Sequence, residues 1–223
     1  VYYHPEHKWN VPKMVRSIRK SLEYCSTQFG PYQHHQARII EFPRVASFAQ
    51  AFPGTMPYSE SLGFIANLED PEDIDMVYYI VAHEMAHQWW AHQVVGSKMQ
   101  GATLMSETMA QYSALMIMEH EYGREMMGKF LRYEMDKYLK DRGAEQLEER
   151  PLLTVNPSQG YVHYEKGSVV LYYLKEMIGE ERHNAALKQF VEKFRYKEPP
   201  YPNAYDFVEV LKQHTPTELH YLY

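Results

Sequence analysis

The chain has 223 residues, enough for one large domain or two small ones, and its 45% hydrophobic content supports a substantial core. A formal net charge of −6 with no basic stripe argues against a nucleic-acid partner, and a single cysteine, Cys25, rules out an internal disulfide. No apolar run reaches the length of a membrane span, and the start at Val1, without a signal-like segment, points to a piece of a longer protein. Its twenty tyrosines and thirteen methionines would then lie partly against missing flanking domains.

From Pro12 to Phe29, apolar Val15, Ile18, Leu22 and Cys25 recur every three to four residues, which predicts an amphipathic helix ended by Gly30-Pro31. Arg38–Phe42 and Gly63–Leu68 read as short strands separated by a Gly/Pro/Ser-rich loop over 52–61. Asp70-Pro71-Glu72-Asp73 has the marks of a helix start: a capping side chain, a proline at the first position and acids at the positive end of the dipole. That helix should run to about Val95, with Gly96 ending it.

A second largely apolar helix is expected from Gly101–Thr103 through Leu104 to Tyr122, stopped by Gly123, followed by a more polar one over 124–140. After a loop over 141–158, helices are expected over 161–178 and 180–196, and Asn203 caps a last one ending near Gln213. The sum is an α+β fold, mostly helical, with a small N-terminal sheet: residues 1–70 form a sheet-containing part and 71–223 a helical part.

The chemistry is concentrated in Val81-Ala82-His83-Glu84-Met85-Ala86-His87, an HExxH pattern. On a helix, His83 and His87 lie on one face within reach of a single zinc ion, while Glu84 is rotated by about 100° and sits beside the metal. In a histidine-rich chain the spacing alone decides little. The context decides more: Met76 to Ala82 is apolar on nearly every side, so the helix is buried. Burying two imidazoles and a carboxylate costs several kcal/mol unless they are paired or coordinated.

A catalytic zinc site needs a third protein ligand and an open fourth position. Glu107 is the candidate: nineteen residues separate it from His87, and Leu104, Met105, Met109 and Ala110 around it are apolar. Glu119 and Glu121 lie too far along the same helix to share the ion, and His92 points off the ligand face, so it reads as structural or exposed.

With these residues in place the chain resembles the M1 zinc aminopeptidases of the gluzincin clan, as a divergent, bacterial-type member. That family pairs HExxH with a glutamate after eighteen intervening residues, flanked as Asn-Glu-Gly; here the count is nineteen and the flanks are Ser106 and Thr108. A one-residue insertion near Gly96-Ser97-Lys98 would restore the geometry. The resemblance implies a thermolysin-like zincin catalytic domain with one zinc per chain held by His83, His87 and Glu107. It covers residues 56–178 most closely, and the family's N-terminal β domain and C-terminal helical domain are not in this sequence.

Two more family elements can be placed. Residues 56–63 take the position of the family's Gly-Ala-Met-Glu-Asn edge strand, with Glu60 and Gly63 as the matching residues and 22 residues between Glu60 and His83. The resemblance makes Glu60 the anchor for a substrate's free α-amine, through a charge-assisted hydrogen bond. Tyr164, in Val162-His163-Tyr164-Glu165-Lys166-Gly167, matches the family's Tyr-Glu-Lys-Gly segment, which implies a phenol donating to the oxyanion of the reacting carbonyl.

The expected function is therefore removal of N-terminal residues from peptides, with Glu84 as general base and Tyr164 as oxyanion donor. The poor match around Glu60 keeps a zinc endopeptidase or oligopeptidase as the alternative. A third reading, of another class, is a non-catalytic interaction module of a larger, membrane-associated assembly, since some bacterial permease-like membrane proteins carry M1-like domains. An inert remnant would need neither Glu84 nor Tyr164.

Overall fold

The computed structural model describes residues 1–68, 70 and 74–223. Helix α1 spans Val11–Gln28, where the sequence predicts it, but its buried stripe is Met14, Ser17, Ser21, Tyr24 and Cys25. The predicted stripe is thus turned: Val15 is exposed, because the two small serines face inward and let the helix approach its neighbour closely. The Ser17 hydroxyl donates to the Tyr78 carbonyl at 2.7 Å, which satisfies it in the interior.

Strand β1 is Arg38–Phe42, as expected. Strand β2 is Thr55–Ser59, inside the stretch that reads as a loop, and it pairs with β1 in parallel from Arg38↔Thr55 to Phe42↔Ser59. Its inward residues, Met56 and Tyr58, alternate as a strand requires, but Pro57 and the flanking glycine and serine mask that period in the sequence. The predicted strand over 63–68 does not form; Glu60–Phe64 coils into a π-helical turn. A Cβ on Gly63 would lie 2.7 Å from both Met14 and Tyr58, so this glycine is needed for close packing against α1.

Two further segments extend the sheet without being full strands. The Ser59 N–H donates to the Phe48 carbonyl at 3.0 Å and the Gln50 N–H to the Pro57 carbonyl at 3.2 Å, laying 48–50 antiparallel beside β2. On the other side, the Tyr2 N–H donates to Ile39 and the Glu41 N–H to Tyr2, both at 2.9 Å, so the N-terminus runs parallel to β1.

Helix α2, Met76–Ala86, carries the HExxH pattern and ends well before Val95, where the sequence places its end. Asp75 caps it, its carboxylate accepting from the Tyr78 N–H at 3.0 Å; the predicted start at Pro71, Glu72 and Asp73 lies outside the described residues. The helix stops at His87 because the next side chains find partners that a continued helix would deny them. Trp89 Nε1 donates to the Gly30 carbonyl at 2.8 Å and Trp90 Nε1 to Ser113 Oγ at 2.9 Å, while the Gln88 amide reaches across to Phe52 and Gly54.

α2 separates two apolar clusters. Val77, Val81 and Met85, four residues apart, pack with Met14, Ile39, Met56, Tyr58 and Phe64 on the sheet side. Tyr78, Tyr79, Ala82 and Ala86 join the larger helical core. That core is built with α3 (Met109–Tyr122), α4 (Met127–Ala144), α5 (Gly167–Ile178), α6 (Glu180–Phe194) and α7 (Ala204–His214). Gly123 and Gly179, at φ of 86° and 90°, stop α3 and α5, and Asn203 with Asp206 forms a reciprocal capping box on α7. The fold is mostly helical with a small sheet, as the sequence predicts. No helix among the described residues is long and apolar enough to cross a membrane.

Candidate metal centre and active site

Two π-helical turns matter most for the site. Leu104–Thr108 precedes α3 and carries Glu107; Val162–Lys166 precedes α5 and carries Tyr164. Both stretches read as plain helix in the sequence. A π turn inserts an extra residue into the helical rise and re-aims the side chains on it, which is why such turns gather at functional sites. The two are locked together: Thr108 Oγ1 donates to the His163 carbonyl at 2.5 Å, and a Cβ on Gly167 would lie 2.6 Å from Thr108 Cγ2.

From α2 and the first π turn, three donor atoms converge. His83 Nε2 and His87 Nε2 are 3.0 Å apart, and Glu107 Oε2 lies 3.3 Å from the first and 3.2 Å from the second. Ligands around a tetrahedral zinc with bonds near 2.0–2.1 Å are separated by about 3.3 Å, so this donor set, two imidazoles and a carboxylate, fits that ion in both chemistry and spacing. His87 Nδ1 donates to the Trp90 carbonyl at 3.0 Å, which fixes the tautomer with the Nε2 lone pair facing the other donors. That bond depends on the turn that ends α2.

The electrostatics follow the same arrangement. Burial alone would raise the Glu107 carboxyl, but hydrogen bonds with His83 and His87 hold it far below the usual range. Burial would lower His87, and Glu107 outweighs it, so the imidazole is held above its ordinary value. Burial keeps Glu84 above the usual carboxylate range, opposed by the two imidazoles and by the N–H of Ala51. The Tyr164 phenol is raised by burial and by the Glu107 carboxylate it hydrogen-bonds, so it stays a donor at neutral pH. Its ring lies 6.0 Å from that of His83.

All five groups border one cavity of about 340 Å³, whose opposite wall is the segment Phe48–Ala51. The predicted set is thus brought together for His83, Glu84, His87, Glu107 and Tyr164. Glu60 and Gly63 do not border this cavity. Glu60 stands on a separate one, beside His7 and Arg44, because it follows β2 rather than occupying the sheet edge over α2. His92, set aside in the sequence, borders the same cavity as His83 and His87, where burial, with His87 and His34, brings its pKa down to about 4. The Phe48–Ala51 wall escapes sequence reading because it holds its place by pairing with β2, a contact between segments that leaves little local pattern.

The model of the peptidase family M1 domain matches residues 14–222. Endoplasmic reticulum aminopeptidase 2 of Homo sapiens is 26% identical over 204 residues, which are 88% of this chain and 21% of the human protein. Probable aminopeptidase 1 of Sulfurisphaera tokodaii is 24% identical over 197 residues, covering 82% of this chain and 24% of the relative. The chain therefore spans about a fifth to a quarter of the length of these relatives. Among solved structures, an M1 zinc metallopeptidase from Deinococcus radiodurans superposes with a TM-score of 0.66 at 18% identity, covering 94% of this chain and 42% of its own, which shows the same fold. A family match over nearly the whole length, on a chain whose HExxH helix faces a downstream glutamate, has one reading: the chain belongs to peptidase family M1.

Proposed function

We propose that this chain is the catalytic domain of a zinc-dependent peptidase, acting as an aminopeptidase on peptide substrates. The observation that carries the proposal is the convergence of His83, His87 and Glu107 at 3.0–3.3 Å with Glu84 and Tyr164 on the same cavity. His83, His87 and Glu107 are the proposed ligands of one zinc ion, which when bound supplies a Lewis acid and eases deprotonation of water. Glu84 takes the proton of the attacking water and passes it to the leaving amine; its raised pKa suits a group that must both accept and return a proton. Tyr164 donates a hydrogen bond to the oxygen of the carbonyl as negative charge develops there. The exposed edge at 48–51 offers backbone groups along which an extended substrate can lie as an added strand. The names of the relatives, aminopeptidases from Homo sapiens and Sulfurisphaera tokodaii, support exopeptidase action.

The test is Glu84→Gln. We expect hydrolysis of aminoacyl reporter substrates to fall by about 10²–10⁴-fold while the zinc held by His83, His87 and Glu107 is retained. Full activity in this variant would overturn the mechanism.

A second reading, endopeptidase or oligopeptidase action, is favoured by one observation: the carboxylates bordering the cavity, among the described residues, are Glu84 and Glu107, and Glu60 is on another cavity. Neither of the two is free to anchor a substrate ammonium if both serve as proposed. Matched peptides with free and acetylated N-termini separate the readings. Aminopeptidase action predicts that the acetylated peptide is spared, and equal cleavage of both would favour the second reading.

A further inference from the structure

Away from the catalytic cavity, His7, Glu41 and Glu60 bring one imidazole nitrogen and two carboxylate oxygens within 4.8 Å of one another. They come from three separate segments. Glu41 is on β1, Glu60 begins the π turn after β2, and His7 is on the N-terminal segment held along β1 by the Tyr2 hydrogen bonds. His7 Nδ1 contacts Glu41 Oε1 and lies 3.9 Å from Glu60 Oε2.

Each carboxylate is held from behind. Glu41 Oε2 accepts the His4 N–H at 2.5 Å, and Glu60 Oε1 accepts the Arg44 N–H at 3.0 Å, so in both cases the second oxygen is the one turned toward His7. Backbone donors that fix one oxygen and free the other are the usual supports of a metal-ligating carboxylate. The Glu41 side chain is 7% exposed and Glu60 19%, so two like charges share a half-buried space. The largely exposed Arg44 guanidinium, 3.6 Å from Glu60 Oε1, offsets part of this charge from the solvent side, and with a neutral imidazole the negative charge left between the two carboxylates can be balanced by a divalent cation. A cavity of about 370 Å³, bordered also by His4, gives access.

We propose that His7, Glu41 and Glu60 form a second divalent-cation site, selective for a metal that accepts mixed nitrogen and oxygen ligands, such as zinc, over calcium. The cation would staple the N-terminal segment to both strands of the sheet. This proposal does not depend on the catalytic reading, since the two cavities share no residue.

The experiment is a zinc titration of the metal-stripped chain, with bound zinc counted after equilibration. The unaltered chain should bind two zinc ions, His7→Ala one, and His83→Ala one, while Glu60→Gln should weaken the second ion by at least about tenfold. Calcium in millimolar excess should not displace it. A single zinc in the unaltered chain whose binding His7→Ala leaves intact would overturn the proposal, as would two zinc ions retained in His7→Ala. One zinc in the unaltered chain and none in His7→Ala would uphold this site and sink the catalytic one. Far-ultraviolet circular dichroism of each variant identifies any that fails to fold, and Glu60→Gln, which keeps the size and shape of the side chain, provides a second, milder variant.

Discussion

The catalytic cavity has two walls of different origin. The helical wall, α2 with the π turns before α3 and α5, holds every group proposed to act on the substrate, and those groups are fixed by buried packing on both sides of α2. The sheet wall, Phe48–Ala51, is an edge held by two backbone hydrogen bonds to β2, and Phe48 is among the exposed apolar residues. The difference separates positioning from reception. Reacting groups need placement to within about 0.5 Å, which rigid elements give; a wall that receives a peptide backbone must keep unpaired edge groups.

Tyr164→Phe tests the helical wall most severely. The variant keeps the ring and its packing beside His83 and His163 and removes one donor. If the phenol acts on the developing oxyanion, kcat should fall by about 10²–10³-fold with KM and zinc content little changed. A rise in KM alone would instead make Tyr164 a substrate-binding residue. Gly167→Ala comes next, because it strikes the lock between the two π turns. The added methyl would meet Thr108 Cγ2 at 2.6 Å and Leu152 Cδ1 at 3.2 Å, and Thr108 is held by its bond to the His163 carbonyl. A loss of about 1–3 kcal/mol is expected, read as a lower Tm, together with weaker zinc binding as Glu107 shifts. Unchanged zinc affinity at reduced stability would show that the lock serves the fold alone.

The two walls also differ in how far they were legible in the sequence. His83, Glu84 and His87 follow from helical periodicity within five residues, and Glu107 from a carboxylate in an apolar run. These are local signals, and the structure gathers the residues they mark. The turns that aim Glu107 and Tyr164 were not legible, since a π turn and an α-helix share composition and differ by one residue in the rise. β2 was missed because Pro57, Gly54 and Ser59 look like a loop, although Met56 and Tyr58 alternate inward. The segment that borders the cavity, 48–51, is likewise placed by its pairing with β2 and not by any pattern of its own. Strand register is a long-range property, and a single sequence carries little of it.

The smallest expected effect concerns the helical core behind the catalytic wall. His183 on α6 is fully buried against Tyr112 of α3, at 4.6 Å between ring centres, and neither ring nitrogen has a hydrogen-bond partner among the described residues. Burial, reinforced by the Lys175 charge, brings its pKa down to about 3. The unfolded chain binds a proton on this group below about pH 6.5, while the folded chain refuses it until about pH 3. Its contribution to stability is therefore complete above about pH 6.5 and drains away as the pH falls toward 3, by at most about 1.4 kcal/mol per pH unit. His183→Phe keeps an aromatic ring against Tyr112 and removes both the unpaired nitrogens and the titration. Denaturant unfolding of the two proteins at pH 7.5, 6.0 and 5.0 should show the variant gaining on the parent as the pH falls. Parallel pH curves would mean that the unaltered core accommodates the imidazolium, and the helical wall would then be less rigid than its packing implies.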